Sequence, residues 1–327
     1  MKLTRLTQAP AIKAEKTKIK KVVDLGAQNL PASGEFKVKD SDGRLSPGEW
    51  VAVCGKGLGP QSIISLGAEK IKPAGYLKTG LLFKMPRGID PRQVNKLQVE
   101  NENGKAEKKV KLHSYIAAAD RRGNKLRFMT LGPKGLKGKV KSKKFKTLGP
   151  QAFSTDGARL YVLGRGDGKD DAKSWAKSIL KSAIKPPKRV DLPVGVFAMG
   201  AKKGPKKQSE FSVGLDSQPT NMASPAEGQI LILSEGHLLW LELNEAQQPE
   251  ERGRLDLRGE NRTCYVGLNA LASDKLALLD PCTNSLQLVT MDSKGLQALG
   301  APMDLAPGTD LPLSLGMDTE PGDPSTL

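Results

Sequence analysis

Residues 150–163 read PQAFSTDGARLYVL, two short apolar runs on either side of an Asp-Gly turn. This pattern is typical of a β-hairpin, because glycine adopts the backbone conformation of a tight turn and β-branched and aromatic side chains favour strands. The unit returns at residues 218–233 around Glu227-Gly228, and again from Cys264 around Ser273-Asp274. The last two turns lie 46 residues apart, a length that fits one four-stranded sheet per repeat.

The repeat predicts about four sheets of four antiparallel strands between residues 114 and 304. The first sheet is predicted from Tyr115–Ala119, Lys125–Thr130 and Val140–Lys146. Residues 150–163 resemble the P-x-x-h-S-x-D-G-x-x-L-Y-V pattern of bacterial YncE-like and lactonase-type β-propellers, and the resemblance implies radially stacked propeller blades. In an incomplete ring of blades, the unpaired backbone groups of the edge strands tend to pair with another chain. We therefore expect either that the chain is a fragment of a longer protein, which we favour, or that another chain completes the ring.

Residues 46–113 predict a small β-sandwich, because short apolar runs alternate with Gly and Pro without a helical period. Five strands are predicted, at Trp50–Cys54, Ile63–Leu66, Leu81–Met85, Leu97–Val99 and Val110–Leu112. The stretches VCGKGLGP (53–60), LG (66–67), FKMP (83–86) and LQVEN (97–101) resemble the signature positions of immunoglobulin-like IPT/TIG domains. The glycines at 55, 57 and 59 predict a tight turn rather than a nucleotide loop, since Pro60 and a β-rich stretch follow instead of a helix.

The two ends of the chain read as irregular segments. Residues 1–45 are rich in basic and small polar residues and are predicted to be an arm or linker. The sequence Asp40-Ser41-Asp42-Gly43 predicts an Asx turn, since no Glu closes a calcium loop. Residues 305–327 form an acidic, Pro/Gly-rich tail. The predicted fold class is thus all-β, a small sandwich followed by part of a propeller, with one inserted basic helix.

That helix is predicted in the second blade, between its second and third strands. Asp170 and Asp171 cap a segment that ends at Pro186-Pro187 and carries lysines four residues apart. It could dock on an acidic surface, or lie on the propeller rim with its lysines in water. The candidate partner-binding residues are Lys173, Lys177, Lys181, Lys185, Arg121, Arg122, Lys139, Lys141 and Lys143.

Charge is divided along the chain. The formal net charge is +17, made of +27 in residues 1–216 and −10 in residues 217–327. The basic part would steer an acidic partner: an acidic protein or larger assembly, an anionic surface or polysaccharide, or nucleic acid. It could equally attract the acidic third of its own chain. Residues 121–155 hold 11 Lys or Arg and no acid, but alternating lysines also protect an edge strand, and few aromatics are present for stacking on bases.

Three cysteines are present, at positions 54, 264 and 282. Folding the hairpin about Ser273 places Cys264 opposite Cys282, within reach of a disulfide, and the alternative is a pair of buried free thiols. A disulfide would imply an oxidising compartment. No apolar run approaches the ~20 residues of a membrane helix, and no apolar core of a signal peptide is visible, although a leader could have been removed.

Few residues are suited to catalysis. No Gly-x-Ser-x-Gly elbow occurs, and the two histidines, His113 and His237, are predicted to be structural. A lactonase-type metal site would draw on Asp120, Asp156, Asp216 and Asp280. We expect no cofactor and a non-enzymatic binding or scaffold protein, periplasmic, on the cell surface or secreted, as both resemblances imply for a bacterial protein. The alternatives are a metal-dependent propeller hydrolase and a basic nucleic-acid-binding protein.

Overall fold

A computed structural model describes residues 1–10, 15–28, 30–38, 41–87, 89–120, 125–144, 150–164, 190–199, 205–215, 219–234, 236–257 and 265–305. For strand residues 117–120, 126, 137–144, 150–151 and 190 it describes the backbone only. The described residues form twenty-six β-strands and no helix, so the predicted all-β class is confirmed. Among them no helix is long and apolar enough to cross a membrane.

The first ten strands form a two-layered sandwich. One sheet has the order β2-β4-β8-β7-β1-β3 and the other β10-β9-β5-β6. The strands are β1 (Lys2–Leu6), β2 (Lys18–Gly26), β3 (Gly34–Lys37), β4 (Trp50–Lys56), β5 (Ile63–Leu66), β6 (Glu69–Ile71), β7 (Gly75–Leu77), β8 (Gly80–Lys84), β9 (Lys96–Asn101) and β10 (Gly104–Lys109). The core between the sheets contains Val51, Val53, Ile64, Phe83 and Leu97.

The prediction that residues 1–45 form an arm or linker is wrong. They supply β1, β2 and β3, which pair with β7, β4 and β1 respectively. These strands form because their apolar residues cover the outer face of the six-stranded sheet, where Leu3 and Leu25 pack with Ala52 and Leu82 in a second core. That sheet is therefore apolar on both faces, which stabilises all six strands.

Two further details of the sandwich differ from the sequence prediction. Val110–Leu112 is not a strand of the sheet; β10 ends before it, and Leu112 forms an isolated bridge with Leu45. The glycine run is explained by close backbone approach: a Cβ at Gly55 would lie 2.0 Å from the Lys18 carbonyl oxygen, and one at Gly57, where φ is +59°, 2.3 Å from the Glu15 carbonyl oxygen. The glycines thus let β4 and the turn after it contact the chain that leads into β2.

The remaining strands form four successive antiparallel sheets, called blades 1 to 4. Blade 1 contains β11 (Ser114–Asp120), β12 (Lys125–Gly132) and β13 (Gly135–Lys144), and blade 2 contains β14 (Pro150–Thr155), β15 (Arg159–Gly164), β16 (Val190–Ala198) and β17 (Lys206–Leu215). Blade 3 contains β18 (Pro219–Ala223), β19 (Gln229–Ser234), β20 (His237–Leu243) and β21 (Pro249–Asp256). Blade 4 contains β22 (Gly267–Ala270), β23 (Lys275–Asp280), β24 (Ser285–Asp292) and β25 (Gly295–Ala298), with β26 (Met303–Asp304) beside β24.

The blades stack face to face, as the repeat predicted. Apolar side chains fill each space between neighbours, for example Phe128 against Val162 between blades 1 and 2, Val194 with Ile232 between blades 2 and 3, and Leu231 with Leu278 between blades 3 and 4. The first strands β14, β18 and β22 contact one another in succession. Sheets stacked this way around their first strands are the arrangement of propeller blades.

Strand direction defines two faces of the stack. The sandwich packs on the turns between the first and second strands of blades 2 and 3, and we call this side the near face. Because neighbouring strands are antiparallel, the connections from second to third strands in blades 2 to 4, and from one blade to the next, lie on the opposite, far face. In blade 1, which has three strands, β11 begins at the sandwich and ends at the far face. β15 ends and β16 begins at the far face, where the sequence predicts the inserted basic helix; residues 165–189 themselves lie outside the described residues, so the helix stays a prediction.

Candidate functional site

The sandwich is attached to the near face by charged side chains. Arg87 Nη1 donates to the carbonyl oxygens of Ser224 at 3.1 Å and Pro225 at 2.8 Å, and Lys84 forms an ion pair with Glu227. Burial lowers the pKa of Lys84 to about 8, against the opposing effect of Asp156. Two arginine hydrogen bonds and an ion pair at a partly buried boundary orient the sandwich on blade 3, while Gly48 packs against the Asp156–Ala158 turn of blade 2.

Asp156 is the centre of this junction. Its buried carboxylate accepts hydrogen bonds from the Arg159 amide at 2.7 Å, the Tyr161 hydroxyl at 2.6 Å and the Gly228 amide at 3.3 Å. Arg159 Nη1 lies 3.6 Å from the same carboxylate and 3.2 Å from Glu227. Burial, and then the charge of Asp156, raise the pKa of Tyr161. Asp156 therefore links blade 2 to blade 3, and Glu227, which is paired with both Arg159 and Lys84, connects them to the sandwich.

The four candidate carboxylates of a lactonase-type site do not share one place. Asp156 lies at the near face, whereas Asp280, at the end of β23, lies at the far face and accepts the amides of Cys282 at 2.9 Å and Thr283 at 3.4 Å. Asp120 ends β11, also at the far face, and Asp216 is outside the described residues. In the described part of the chain, no group of three or more His, Cys, Asp or Glu could hold a metal ion.

His113 lies in a buried polar cluster where the sandwich meets blade 1. Its Nε2 is 3.4 Å from Asp42 Oδ2 and 3.3 Å from the Tyr115 hydroxyl, which donates to the same carboxylate at 3.2 Å. Burial works against the charge of Asp42, but hydrogen bonds from His113 and the Arg44 amide lower its pKa. His237 is buried in β20, where its carbonyl oxygen accepts the Ser234 hydroxyl.

Glu49 is the most perturbed carboxyl of that junction. It is fully buried, and burial followed by the charge of Asp24 raises its pKa from the ordinary value of 4.5 to about 9. Its Oε2 accepts the Ser46 amide at 2.9 Å, while Oε1 contacts no donor among the described residues. Asp24 is itself buried and accepts the amides of Gly26 at 2.7 Å and Asp42 at 2.9 Å.

The predicted Asx turn is present beside this cluster. Asp42 Oδ1 accepts the Arg44 amide at 2.9 Å, the spacing of two residues that defines such a turn. Glu49 and Asp24 approach the turn from other parts of the sandwich. Their carboxyl oxygens accept backbone amides, those of Gly26, Asp42 and Gly43 for Asp24 and that of Ser46 for Glu49, so these bonds are structural.

The sandwich has a basic edge that the sequence alone did not indicate. Thr17 donates its amide to the Asn103 carbonyl at 3.4 Å, which brings the entry to β2 beside β10. Six exposed lysines follow these two stretches, namely Lys16, Lys18, Lys20, Lys108, Lys109 and Lys111. None of the six is in an ion pair with another described residue, whereas the neighbouring Glu15 and Glu107 are already paired with other lysines. We call these six residues the basic edge.

None of the nine sequence-predicted partner-binding residues belongs to the basic edge. Lys139, Lys141 and Lys143 are in β13, the outermost strand of blade 1, with only their backbone described. Outside the described residues are Lys173, Lys177, Lys181, Lys185, Arg121 and Arg122. Cys282 is disulfide-bonded and Cys54 is a free thiol, while Cys264 is outside the described residues, so its pairing stays a prediction.

No protein-family profile and no curated protein matches the chain. Among solved structures, a protein from Lactobacillus plantarum is similar at 11% identity and a TM-score of 0.42, covering 81% of this chain and 80% of its own. Virginiamycin B lyase from Staphylococcus aureus is similar at 10% identity and 0.34, covering 91% and 89%. An auxiliary nutrient-binding protein from Bacteroides thetaiotaomicron is similar at 8% identity and 0.24, covering 88% and 86%. Likeness at this level carries no argument about function, and the fold class rests on the sheets themselves.

Proposed function

We propose that this chain is a non-catalytic binding protein that uses the basic surface of its sandwich to dock an acidic protein. The observation that carries the proposal is the separation of charge, +27 in residues 1–216 against −10 in the rest of the chain. A surface of one sign steers a partner of the opposite sign before contact and raises its association rate. Six of these positive charges, the lysines of the basic edge, lie together on the surface of the sandwich.

An acidic protein suits the basic edge better than nucleic acid does. The edge contains lysines and no arginine. A lysine ammonium is a mobile point charge, whereas an arginine guanidinium can bind a phosphate through two parallel hydrogen bonds. Neither β2 nor β10 contains an aromatic residue on which a base could stack. Carboxylates of a protein partner need only complementary charge at this surface.

Two features favour binding over the alternative of a metal-dependent hydrolase. Asp156 and Asp280 lie on opposite faces of the stack, and each is engaged by backbone amides. A metal-centred propeller site needs ligands that converge. The blades then serve as a rigid support that presents the sandwich on one face and the ends of the 165–189 insertion on the other.

The proposed location is the bacterial envelope or exterior. The disulfide at Cys282 supports an oxidising compartment. The resemblance of residues 46–113 to IPT/TIG modules and of residues 150–163 to YncE-like propellers supports the same location, and we retain both assignments as part of the proposal.

The test is a fluorescence-anisotropy titration of the full chain with labelled poly-L-glutamate, with poly-L-lysine and single-stranded DNA as comparison probes. We expect poly-glutamate to bind at 50 mM salt, to weaken strongly at 300 mM as screening predicts, and to bind more tightly than DNA. Lys18→Glu/Lys108→Glu should weaken binding at least about tenfold. The control Lys275→Glu reverses an exposed lysine of blade 4 and should bind normally. Tighter binding of DNA, or equal loss in both variants, would contradict the proposal.

A further inference from the structure

The two terminal blades of the described stack each expose an apolar patch on the face that no neighbouring blade covers. In blade 1, Phe128 points toward blade 2, so Met129 and Leu131, which alternate with it, point the other way. Ile116 is directly opposite Met129, and Leu136 directly opposite Leu131. Ile116 is 41% exposed and Leu136 60% exposed. These four residues form patch 1.

Blade 4 carries the matching feature. Val289 and Met291 point toward blade 3, so Leu286 and Leu288 point away from it. Their cross-strand partners Leu279 and Ala277 on β23 are already fully buried, so the exposed part of this face is limited to β24 and the segment that follows it. Met303 is opposite Leu286, and the Leu299 amide donates to the Leu288 carbonyl at 2.8 Å, which places both side chains on the same outward face. Leu299 is 49% and Met303 48% exposed. Leu286, Leu288, Leu299 and Met303 form patch 4.

From these patches we infer that two copies of the chain join head to tail, with patch 4 of each copy packed against patch 1 of the other. Every other blade face in the described stack is covered by a neighbouring blade through apolar contacts, whereas patches 1 and 4 leave large apolar side chains exposed. The four described sheets from each of two copies would make a ring of eight, within the size range of closed propellers. A repeated head-to-tail contact that closes after two copies leaves no end face exposed.

The charge distribution favours a head-to-tail contact between patch 1 and patch 4 over a contact between two like patches. Residues 114–144, which contain blade 1, hold ten Lys or Arg and one acid, whereas residues 217–327 have a net charge of −10. Patch 1 against patch 1 would bring two basic sheets together, and patch 4 against patch 4 two acidic regions. Patch 1 against patch 4 combines apolar burial with opposite charge.

The test is the mass of the full chain in solution by light scattering and sedimentation at micromolar concentrations. We expect twice the 35.1 kDa of a single chain. Ile116→Glu and Leu299→Glu each place a charge in an apolar contact and should raise the dissociation constant at least about a hundredfold. Ile63→Glu is the matched control, since Ile63 is 43% exposed on the sandwich, and it should leave the dimer intact.

Mixing the two defective variants tests the head-to-tail arrangement itself. A pair made of one Ile116→Glu chain and one Leu299→Glu chain has one wild-type contact, so the mixture should dimerise more strongly than either variant alone. Contacts between like patches predict no such recovery. A monomeric wild-type chain, equal dissociation by Ile63→Glu, or no recovery on mixing would overturn the inference.

Discussion

Replacing Glu49 by glutamine removes a carboxyl that the fold keeps protonated. In the folded chain Glu49 holds its proton up to about pH 9, whereas in the unfolded chain the proton leaves near the ordinary value of 4.5. Between these two pH values the unfolded state binds fewer protons, so this residue lowers the free energy of unfolding as the pH rises. The slope is roughly 1.4 kcal/mol per pH unit, or about 3 kcal/mol between pH 5 and pH 7.

Glutamine has nearly the same shape and still accepts the Ser46 amide, but it does not titrate. The free energy of unfolding of Glu49→Gln minus that of the wild type should therefore increase by about 3 kcal/mol from pH 5 to pH 7. Urea unfolding followed by circular dichroism at pH 5, 6, 7 and 8 measures this difference. Glu102→Gln changes an exposed carboxylate of the same sandwich and should give a flat difference. A change below about 1 kcal/mol for Glu49→Gln would refute the reasoning.

Three other perturbations follow from the geometry. Asp156→Asn should lower the free energy of unfolding by about 2–4 kcal/mol in urea titrations, because Arg159 and Tyr161 lose a charged partner, and an unchanged midpoint would show that the junction does not depend on that charge. Gly57→Ala should lower the free energy of unfolding by at least about 2 kcal/mol, because the added Cβ would collide with the Glu15 carbonyl oxygen. Gly43→Ala has the same positive φ problem but open space around it, so it should lower that free energy by only about 1 kcal/mol. Equal losses in the two variants would argue against the close approach at Gly57. Thiol titration under denaturing conditions should find one free thiol without reductant and three with it, and three in both would exclude the disulfide.

The hairpin of residues 150–163 could be predicted because everything that specifies it is local. Its turn and its two apolar strands are adjacent in sequence, and β14 and β15 meet around Asp156-Gly157 as expected. The strand β2 was missed although Lys16 to Lys20 alternates exposed lysines with buried Thr17 and Ile19, the period of a half-buried strand. So many lysines in one stretch are also typical of a solvated arm, which is why the sequence alone does not indicate the strand.

The surroundings of Glu49 and Asp156 could not be predicted from the sequence. Asp24, Glu49 and His113 come from separate parts of the chain: the pairing of β2 with β4 brings Asp24 to Glu49, and the packing of the sandwich on blade 1 brings His113 to Asp42. Likewise Gly228 and Glu227 reach Asp156 and Arg159 across 72 and 68 residues. The exposed patches of blades 1 and 4 depend on which side of each sheet a neighbour covers, and strand alternation alone does not decide that.

Hydrogen–deuterium exchange of the full chain with and without poly-L-glutamate tests the proposed basic docking surface most directly. Bound poly-glutamate should slow amide exchange in the entry to β2 and in β10, around the basic edge, and leave the strands of blades 3 and 4 unchanged. Slower exchange confined to the acidic blades, or binding without any change at residues 16–20 and 105–111, would contradict the account.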